Sequence, residues 1–201
     1  MFDRAIFEAP ATEVAPLLLG ALLSHEGVTV RLTEVEAYLG EVDPGSHAFR
    51  GPTPRTEVMF GEPGHLYAYF TYGMHVCVNV VCSPAGVASA VLLRAGEVVD
   101  GVDIARMRRT TSRTDVDLAR GPARLTVALG IPLAATGSDL ARAPFALDVR
   151  QPVEEFATGP RTGVSGPGGS TDFPWRFWIP GDPTVSPYKA AVVRSRGAAS
   201  L

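Results

Sequence analysis

The chain has 201 residues, of which 46% are hydrophobic and 19% are charged. This length supports one substantial core and is short for two, so we expect a single domain over residues 1–201 with a frayed tail at about residues 196–201. The formal net charge of −3 argues against a protein whose affinity comes mainly from neutralising phosphates. Because the N-terminus lacks a secretory pattern and no apolar run approaches membrane-spanning length, we expect a cytoplasmic protein without a membrane partner.

The N-terminal part of the sequence predicts a helix followed by a strand. Thr12 is a suitable N-cap for an apolar helix running through Leu23, and Gly27 would end it. From Val28 the apolar residues alternate with polar ones, which is typical of a half-buried strand. Residues 40–64, rich in Gly, Pro and charge, predict a long irregular connection of the kind that is commonly functional.

The remaining elements are shorter and do not alternate regularly. The sequence predicts a strand over 88–95, helices over 101–109 and 122–129, a flexible loop at 166–170, and short strands near 145–149 and 175–179. Scattered strands of this kind, without a βαβ run, indicate an α+β fold.

A β-hairpin with an unusual tip is predicted over residues 66–80. The tip, Tyr72-Gly73-Met74, is aromatic and apolar where hairpin turns are usually polar. Proteins that kink duplex DNA insert such side chains between base steps. A tip folded back onto its own core would explain the same residues, and the segment alone leaves both interpretations open.

Two glutamates extend the strand that begins at Val28. If the alternation persists, Glu34, Glu36 and Tyr38 lie on the face of Val28, so carboxylates enter a stripe directed at the core. Burial raises the pKa of a carboxyl group and suits it to proton chemistry near neutral pH. A bulge that reverses the register, or an ion pair with Arg94, would explain the pattern without catalysis.

The chemistry that fits this pattern uses one carboxylate as a base acting on water. Two carboxylates on one strand face do not flank a bond from opposite sides, as sugar glycosidases require. His47 in the following loop is a candidate companion or an ordinary loop histidine. We expect Cys77 and Cys82 to be buried thiols, and without a nucleotide-binding or zinc motif the sequence predicts neither metal nor cofactor.

One stretch of the acidic chain is rich in arginine. Between residues 101 and 124 six arginines face three aspartates, so the sequence predicts a locally basic surface or an ordinary solvated helix face. The six are Arg106, Arg108, Arg109, Arg113, Arg120 and Arg124.

Motifs spread in order along nearly the whole chain resemble the alkyladenine (3-methyladenine, or methylpurine) DNA glycosylase family. They are Thr33-Glu34-Val35-Glu36-Ala37-Tyr38-Leu39-Gly40, His47, Thr53-Pro54-Arg55, Met59-Phe60, Pro63-Gly64-His65-Leu66-Tyr67-Ala68-Tyr69, Tyr72-Gly73-Met74, Cys77-Val78-Asn79 and Leu92-Leu93-Arg94-Ala95. Weaker matches are Gly121-Pro122-Ala123-Arg124-Leu125, Arg161-Thr162-Gly163-Val164, Trp175-Arg176-Phe177 and Val185-Ser186.

The resemblance implies a compact α+β domain with a curved antiparallel sheet, flanking helices and a protruding aromatic-tipped hairpin. It implies a monofunctional base-excision repair enzyme, without lyase activity, that flips alkylated or deaminated purines out of duplex DNA. The enzyme would hydrolyse the N-glycosidic bond with a carboxylate-activated water. We expect a monomer whose partner is double-stranded DNA containing damaged purines.

Site roles follow from the resemblance by motif position. Glu36 is implied as the general base, with Arg94 orienting the water or the carboxylate. The implied base pocket consists of Tyr38, His47, Tyr69 and Asn79, with Asn79 disfavouring the amino group of normal guanine. Tyr72 is implied to fill the space that the base vacates, with Met74 beside it at the duplex.

Two other functions remain open from the sequence. A hydrolase of free nucleosides or glycosides would use the same glutamate and aromatic walls. A non-catalytic interaction module would use the hairpin to dock a protein partner. An exposed Tyr72 favours DNA over free nucleosides, because a closed nucleoside pocket has no use for it.

Overall fold

The fold is centred on an antiparallel sheet of eight strands. The computed structural model describes residues 2–71 and 73–191. The strands are β1 (Leu22–His25), β2 (Val28–Tyr38), β3 (Leu66–Thr71), β4 (His75–Cys82), β5 (Ser89–Asp100), β6 (Phe145–Asp148), β7 (Ala157–Gly159) and β8 (Arg176–Trp178). Their order is β3-β4-β5-β2-β1-β6, and β8 pairs with both β2 and β7.

Helices cover one face of this sheet and irregular segments cover the other. The α-helices of the described residues are α1 (Ala11–Leu17), α2 (Val102–Arg108) and α3 (Pro122–Leu129). The main core lies between the helices and the sheet, where Val14, Leu93 and Leu125 are fully buried. A smaller cluster around Met59 and Tyr67 lies beneath the long connection on the second face. The predicted α+β class with a single compact domain is confirmed.

The prediction of one helix from Thr12 to Leu23 is wrong. The helix ends at Leu17, residues 18–20 form a turn, and β1 begins at Leu22. Gly20 adopts a φ of +82° that breaks the helix, and its N–H donates to the carbonyl of Leu32 at 2.8 Å. A continuous apolar run does not distinguish a buried helix from a buried strand.

The hairpin of β3 and β4 is present, with Ala68 opposite Val78. Gly73 takes a φ of +68° in the turn, the left-handed conformation that glycine adopts freely. Tyr72 lies outside the described residues, so the aromatic tip stays a prediction. Met74 is 69% exposed and Phe70 is 49% exposed, so this end of the hairpin carries apolar surface.

Two bulges in the central strands decide where the glutamates point. Leu32 pairs with Gly96 and Glu34 with Ala95, which leaves Thr33 as an extra residue on β2. The next register shift leaves Arg94 extra on β5. The first bulge reverses the alternation expected from Val28, so residues 35 and 37 of β2 continue the core and the glutamates lie on the second face.

The second face is closed by segments that the sequence did not assign to regular structure. Residues 166–170, predicted as a flexible loop, contain a short 3-10 helix, Pro167–Gly169. Gly168 is buried, and a Cβ there would meet the backbone nitrogen of Gly45 at 2.4 Å, so this close approach requires glycine. Within the described ranges, no helix combines the length and apolar character needed to cross a membrane.

Candidate active site

A cavity of about 310 Å³ lies against the second face of the sheet. Four segments form it: the end of β2 with the loop after it, the β3–β4 hairpin with the adjoining part of β5, the start of α3 at Pro122, and residues 162–165. Its lining consists of Tyr38, Pro44, Gly45, Ser46, His47, Met59, Tyr67, Tyr69, Thr71, Cys77, Asn79, Leu92, Arg94, Pro122, Thr162, Gly163, Val164 and Ser165.

Most of the residues singled out from the sequence meet at this cavity. Its lining includes Tyr38, His47, Tyr69, Asn79 and Arg94. Glu36 is fully buried behind the wall, and each of its polar partners is a lining residue. Met74 does not line the cavity, and Tyr72 lies outside the described residues.

The Glu36 carboxylate is held by three groups. Its Oε2 accepts a hydrogen bond from the Tyr38 hydroxyl at 2.9 Å, and its Oε1 accepts one from the Thr162 N–H at 2.7 Å. Arg94 places Nη1 3.4 Å from the same Oε1. Burial raises the pKa of Tyr38 well above its usual range, and the neighbouring Glu36 carboxylate raises it further, so the Tyr38 hydroxyl keeps its proton and donates a hydrogen bond to Glu36.

Glu34, two residues earlier on the same face, is enclosed by arginines. Its Oε1 accepts hydrogen bonds from Nε of Arg94 at 3.0 Å and Nε of Arg176 at 2.6 Å. Its Oε2 accepts from the Ser186 N–H at 2.7 Å. Burial alone would raise the pKa of Glu34, but the charges of Arg94 and Arg176, together with the hydrogen bond from Ser186, lower it. With its acceptor sites occupied by these donors, Glu34 supports the position of Arg94.

A second buried ion pair fixes the opposite wall. Arg161 is fully buried and donates from Nη1 and Nη2 to the Asp43 carboxylate, both at 2.6 Å. The same guanidinium donates to the carbonyls of Ala37 and Gly168, and it lies 4.5 Å from the ring centroid of Tyr38. The pair ties the loop after β2 to residues 162–165, which places the Thr162 N–H at Glu36.

Aromatic rings form one continuous wall of the cavity. The His47 and Tyr69 rings meet edge to face with centroids 4.6 Å apart, and Tyr67 stacks on Tyr69 at 5.6 Å. The Tyr67 hydroxyl lies 3.3 Å from Nδ1 of His47. Asn79 donates from Nδ2 to the Tyr67 carbonyl at 3.1 Å, which orients its amide in the wall.

The titratable groups of this wall are uncharged at neutral pH. Burial, with a smaller contribution from Arg55, lowers the pKa of His47 below 6.5, so its imidazole is mainly neutral. Burial also raises the pKa of Tyr69 far above 10, so it stays a phenol. Burial raises the pKa of Cys77 to about 11, so this residue lines the cavity as a thiol. A neutral aromatic surface of this kind suits a flat aromatic ligand.

The sequence missed three contributors to the site. Tyr67 was recognised as part of a motif but not as a wall residue, and Arg161 and Thr162 belonged only to a weak match. Thr162 Oγ1 is a buried hydroxyl without a hydrogen-bond partner among the described residues. Alternation along a strand cannot reveal such contacts, because Arg161 is 118 residues from Asp43 in the chain.

Residues 2–71 and 73–191 contain no cluster of three or more histidine, cysteine or acidic side chains able to hold a metal ion. Cys77 and Cys82 are both buried and free, as predicted.

Comparison with known proteins agrees with this geometry. The chain matches the model of the family described as methylpurine-DNA glycosylase over residues 5–183. A relative from Leifsonia xyli subsp. xyli is 62% identical over 195 residues, covering 92% of this chain and 92% of its own. Relatives from Streptomyces avermitilis and Corynebacterium jeikeium are 54% and 51% identical, covering 96% and 92% of this chain and 94% and 91% of theirs. All three are named "Putative 3-methyladenine DNA glycosylase".

The fold and the cavity thus accompany a family match that spans most of the chain, and the chain belongs to the methylpurine-DNA glycosylase family. The resemblance seen in the sequence motifs is confirmed. The protein is a DNA glycosylase of the class that removes alkylated purines in base excision repair.

Replacing each glutamate in turn tests whether Glu34, rather than Glu36, has the structural role. Glu34→Gln should lower the free energy of unfolding by about 3 kcal/mol, because it leaves two buried guanidinium groups without their shared carboxylate. Glu36→Gln keeps hydrogen-bonding capacity toward Tyr38 and should cost about 1 kcal/mol. Urea unfolding of both variants measures the difference, and equal stability losses would contradict it.

The stabilisation by Glu34 should also depend on pH in a defined direction. Because the folded-state pKa of Glu34 lies below its ordinary value of 4.5, its contribution is complete above about pH 4.5. That contribution is lost as the pH falls through the lowered folded-state value. Unfolding free energies of wild type and Glu34→Gln should therefore converge in acid, and a gap that widens below pH 4.5 would refute this assignment.

Proposed function

We propose that Glu36 activates the water that hydrolyses the N-glycosidic bond of a damaged purine nucleotide. The observation that carries this proposal is a fully buried carboxylate behind an aromatic cavity, bonded only to groups that line it. Thr162 Oγ1, buried without a partner among the described residues, adds a hydroxyl next to the backbone N–H that holds Glu36. A water molecule or a sugar oxygen at this position would supply the missing bond.

The proposed reaction is a single displacement by water. The water oxygen bonds to C1′ of the deoxyribose while its proton passes to the Glu36 carboxylate. The bond from C1′ to the purine nitrogen breaks, and the purine leaves with the bonding electron pair. Arg94, fixed by Glu34, orients the receiving carboxylate from its place 3.4 Å from Oε1.

The aromatic wall supplies the proposed selectivity for damaged purines. Tyr38, His47 and Tyr69 provide flat faces for an extruded base, and rings attract an alkylated purine that carries positive charge. The neutral His47 adds no repulsion toward such a cation. Asn79, oriented by the Tyr67 carbonyl, is the proposed residue that disfavours the amino group of guanine. Deaminated purines, which lack the positive charge of an alkylated purine, would stack on the same wall.

Base flipping is proposed to depend on the β3–β4 hairpin. Met74 and Phe70 give its end an exposed apolar surface that suits insertion into a base stack. Tyr72, between them in sequence, is the residue proposed to fill the space that the base vacates. Damaged and mispaired bases cost less to unstack, which adds to the selectivity of the pocket.

We further propose a monofunctional enzyme without lyase activity. Lyase chemistry needs an amine that forms a Schiff base with the sugar. Lys189 is the single lysine of the sequence, and its exposed side chain is not among the groups lining the cavity.

The proposed cellular setting follows from the substrate. The enzyme is proposed to act as a monomer. Double-stranded DNA with damaged purines is the proposed partner, and access to chromosomal DNA supports a cytoplasmic location.

Replacing the proposed base tests the chemistry directly. Glu36→Gln should reduce the single-turnover rate of 3-methyladenine release from methylated duplex DNA at least about 100-fold, since a general base contributes at least that factor. Affinity for a duplex with a stable abasic-site mimic should stay within about threefold of wild type, because the wall is intact. Release at the wild-type rate would remove Glu36 from the role. Equal turnover of free nucleosides by wild type would favour a nucleoside hydrolase.

The hairpin is tested by truncating its tip. Tyr72→Ala and Met74→Ala should each raise the Kd for the abasic-mimic duplex about tenfold, because stacking of an aromatic or apolar side chain on bases is worth ~1–3 kcal/mol. Val87→Ala is a matched control, since Val87 is 56% exposed and outside the hairpin tip. Fluorescence anisotropy measures each Kd. Wild-type affinity of both tip variants would contradict the insertion.

Absence of lyase chemistry is tested by chemical trapping. Borohydride added during turnover on damaged duplex should yield no covalent protein–DNA adduct, because no lysine lines the cavity. A lyase-competent glycosylase under the same conditions is the positive control. A trapped adduct on denaturing gels would show that the enzyme forms a Schiff base.

A further inference from the structure

A second concave site lies beside the α3 N-terminus. This arginine cleft has a volume of about 370 Å³ and is lined by Thr111, Arg113, Thr114, Val116, Asp117, Arg120 and Arg124. Pro122, the first residue of α3, lines the base cavity, and Arg120 and Arg124 are each two residues away from it. At no more than ~3.6 Å per residue, their Cα atoms lie within about 7 Å of Pro122. The arginine cleft and the base cavity are therefore neighbours.

Positive charge in the arginine cleft is only partly neutralised. Its three arginines face one carboxylate, Asp117, which accepts a hydrogen bond from Arg124. Arg109 also approaches Asp117, with Nη2 3.9 Å from Oδ2. Burial lowers the pKa of Arg109, and the charge of Arg124 lowers it further, as expected where guanidinium groups crowd together.

The other arginines of this segment are satisfied within the protein. Arg106 donates to the carboxylates of Asp103 and Asp115, and Arg108 donates to the carbonyls of Glu26 and Ala128. The basic surface predicted from residues 101–124 is therefore confined to the arginine cleft, in a chain whose net charge is −3.

Two arginines of the cleft keep donors available for a ligand. Arg113 is exposed and makes no hydrogen bond or ion pair with any described residue. Arg120 donates from Nε to the Val185 carbonyl at 2.9 Å, which fixes the plane of its guanidinium and leaves both terminal nitrogens without a described partner. The side chain of Thr114 adds a hydroxyl to the same lining. Guanidinium groups fixed in this way bind phosphate through paired hydrogen bonds.

We propose that the arginine cleft binds a backbone phosphate on the DNA strand that carries the flipped nucleotide, an inference that rests on the proposed function. B-DNA places one phosphate per ~3.4 Å of axis on each strand, so the cleft lies within reach of a phosphate one to three nucleotides from the target. The cleft supplies local attraction for DNA in a protein whose overall charge repels it. It also gives the strand a fixed register while the base enters the cavity.

Charge-removing variants test the arginine cleft. Arg113→Gln and Arg120→Gln should each weaken binding to the abasic-mimic duplex about fivefold at low salt, and each should reduce the slope of log Kd against log salt by about 0.9 if one phosphate contact is lost. Arg142→Gln is the matched control, because its side chain is 83% exposed and lines neither cavity. Unchanged affinity and slope in both cleft variants, or equal losses in Arg142→Gln, would overturn the proposal.

The contacted phosphate is located by removing charge from the DNA. Neutral methylphosphonate linkages are placed singly at the positions within three nucleotides of the abasic mimic on either strand. Wild type should lose affinity at one position on the target strand, and Arg113→Gln should lose none there, which is the signature of a coupled pair. Coupling at no position, or only on the opposite strand, would refute the assignment.

Failure of the proposed phosphate site can be distinguished from failure of the proposed catalytic mechanism. The two variants differ in their main readout: Arg113→Gln should weaken binding to the abasic-mimic duplex, whereas Glu36→Gln should slow base release at saturating DNA while its duplex affinity stays within about threefold of wild type. If wild type releases bases through Glu36 but no linkage couples to Arg113, only the phosphate site fails. An acidic peptide that binds wild type but not Arg113→Gln, with duplex binding unaffected, would assign the cleft to a protein partner and overturn the proposal.

Discussion

The ion pairs of Glu34 with Arg94 and Arg176 are the constraint on which the site depends. They join strands β2, β5 and β8 on the face opposite the main core, and Ser186 closes the network. Buried ion pairs seldom stabilise a fold more than well-packed apolar residues would, because desolvation offsets the attraction. Their consequence here is positional: with Nε bound to Glu34, the Arg94 guanidinium is held with Nη1 beside Glu36.

A second buried pair constrains the same carboxylate from the other side. Arg161 and Asp43 join two segments that carry little regular structure, and Arg161 is enclosed by the rings of Tyr38 and Trp175. The residue after Arg161 supplies the N–H that binds Glu36. These irregular segments are thus held in place, because each is anchored by charge-assisted hydrogen bonds between fully buried side chains.

The fold class and most cavity residues were predicted from the sequence, but on different grounds: local patterns for the strands and the family resemblance for the cavity. Strand β2 followed from alternation, whereas the grouping of His47, Tyr69 and Asn79 came from the family resemblance, since local pattern cannot join distant segments. The extension of helix α1 to Leu23 was wrong because an apolar run carries no periodicity. From the sequence, a bulge in β2 was one of several explanations for the position of the glutamates, and the role of Arg161 was not identified. Both depend on which strand or loop packs against the segment, and local sequence does not show this.

Glu34 and Glu36 show why burial alone does not single out the carboxylate proposed as the general base. Both are fully buried, both lie on β2 and both contact Arg94. They differ in their remaining partners: Glu34 has a second guanidinium, whereas Glu36 has a phenol and a backbone N–H that belong to the cavity wall. Glu34, bound by two guanidinium groups, anchors structure, whereas Glu36, bound by one guanidinium and two neutral donors of the cavity wall, is the carboxylate proposed to receive the proton. The two carboxylates differ in the charge of the groups around them, and a single sequence does not show which groups those are.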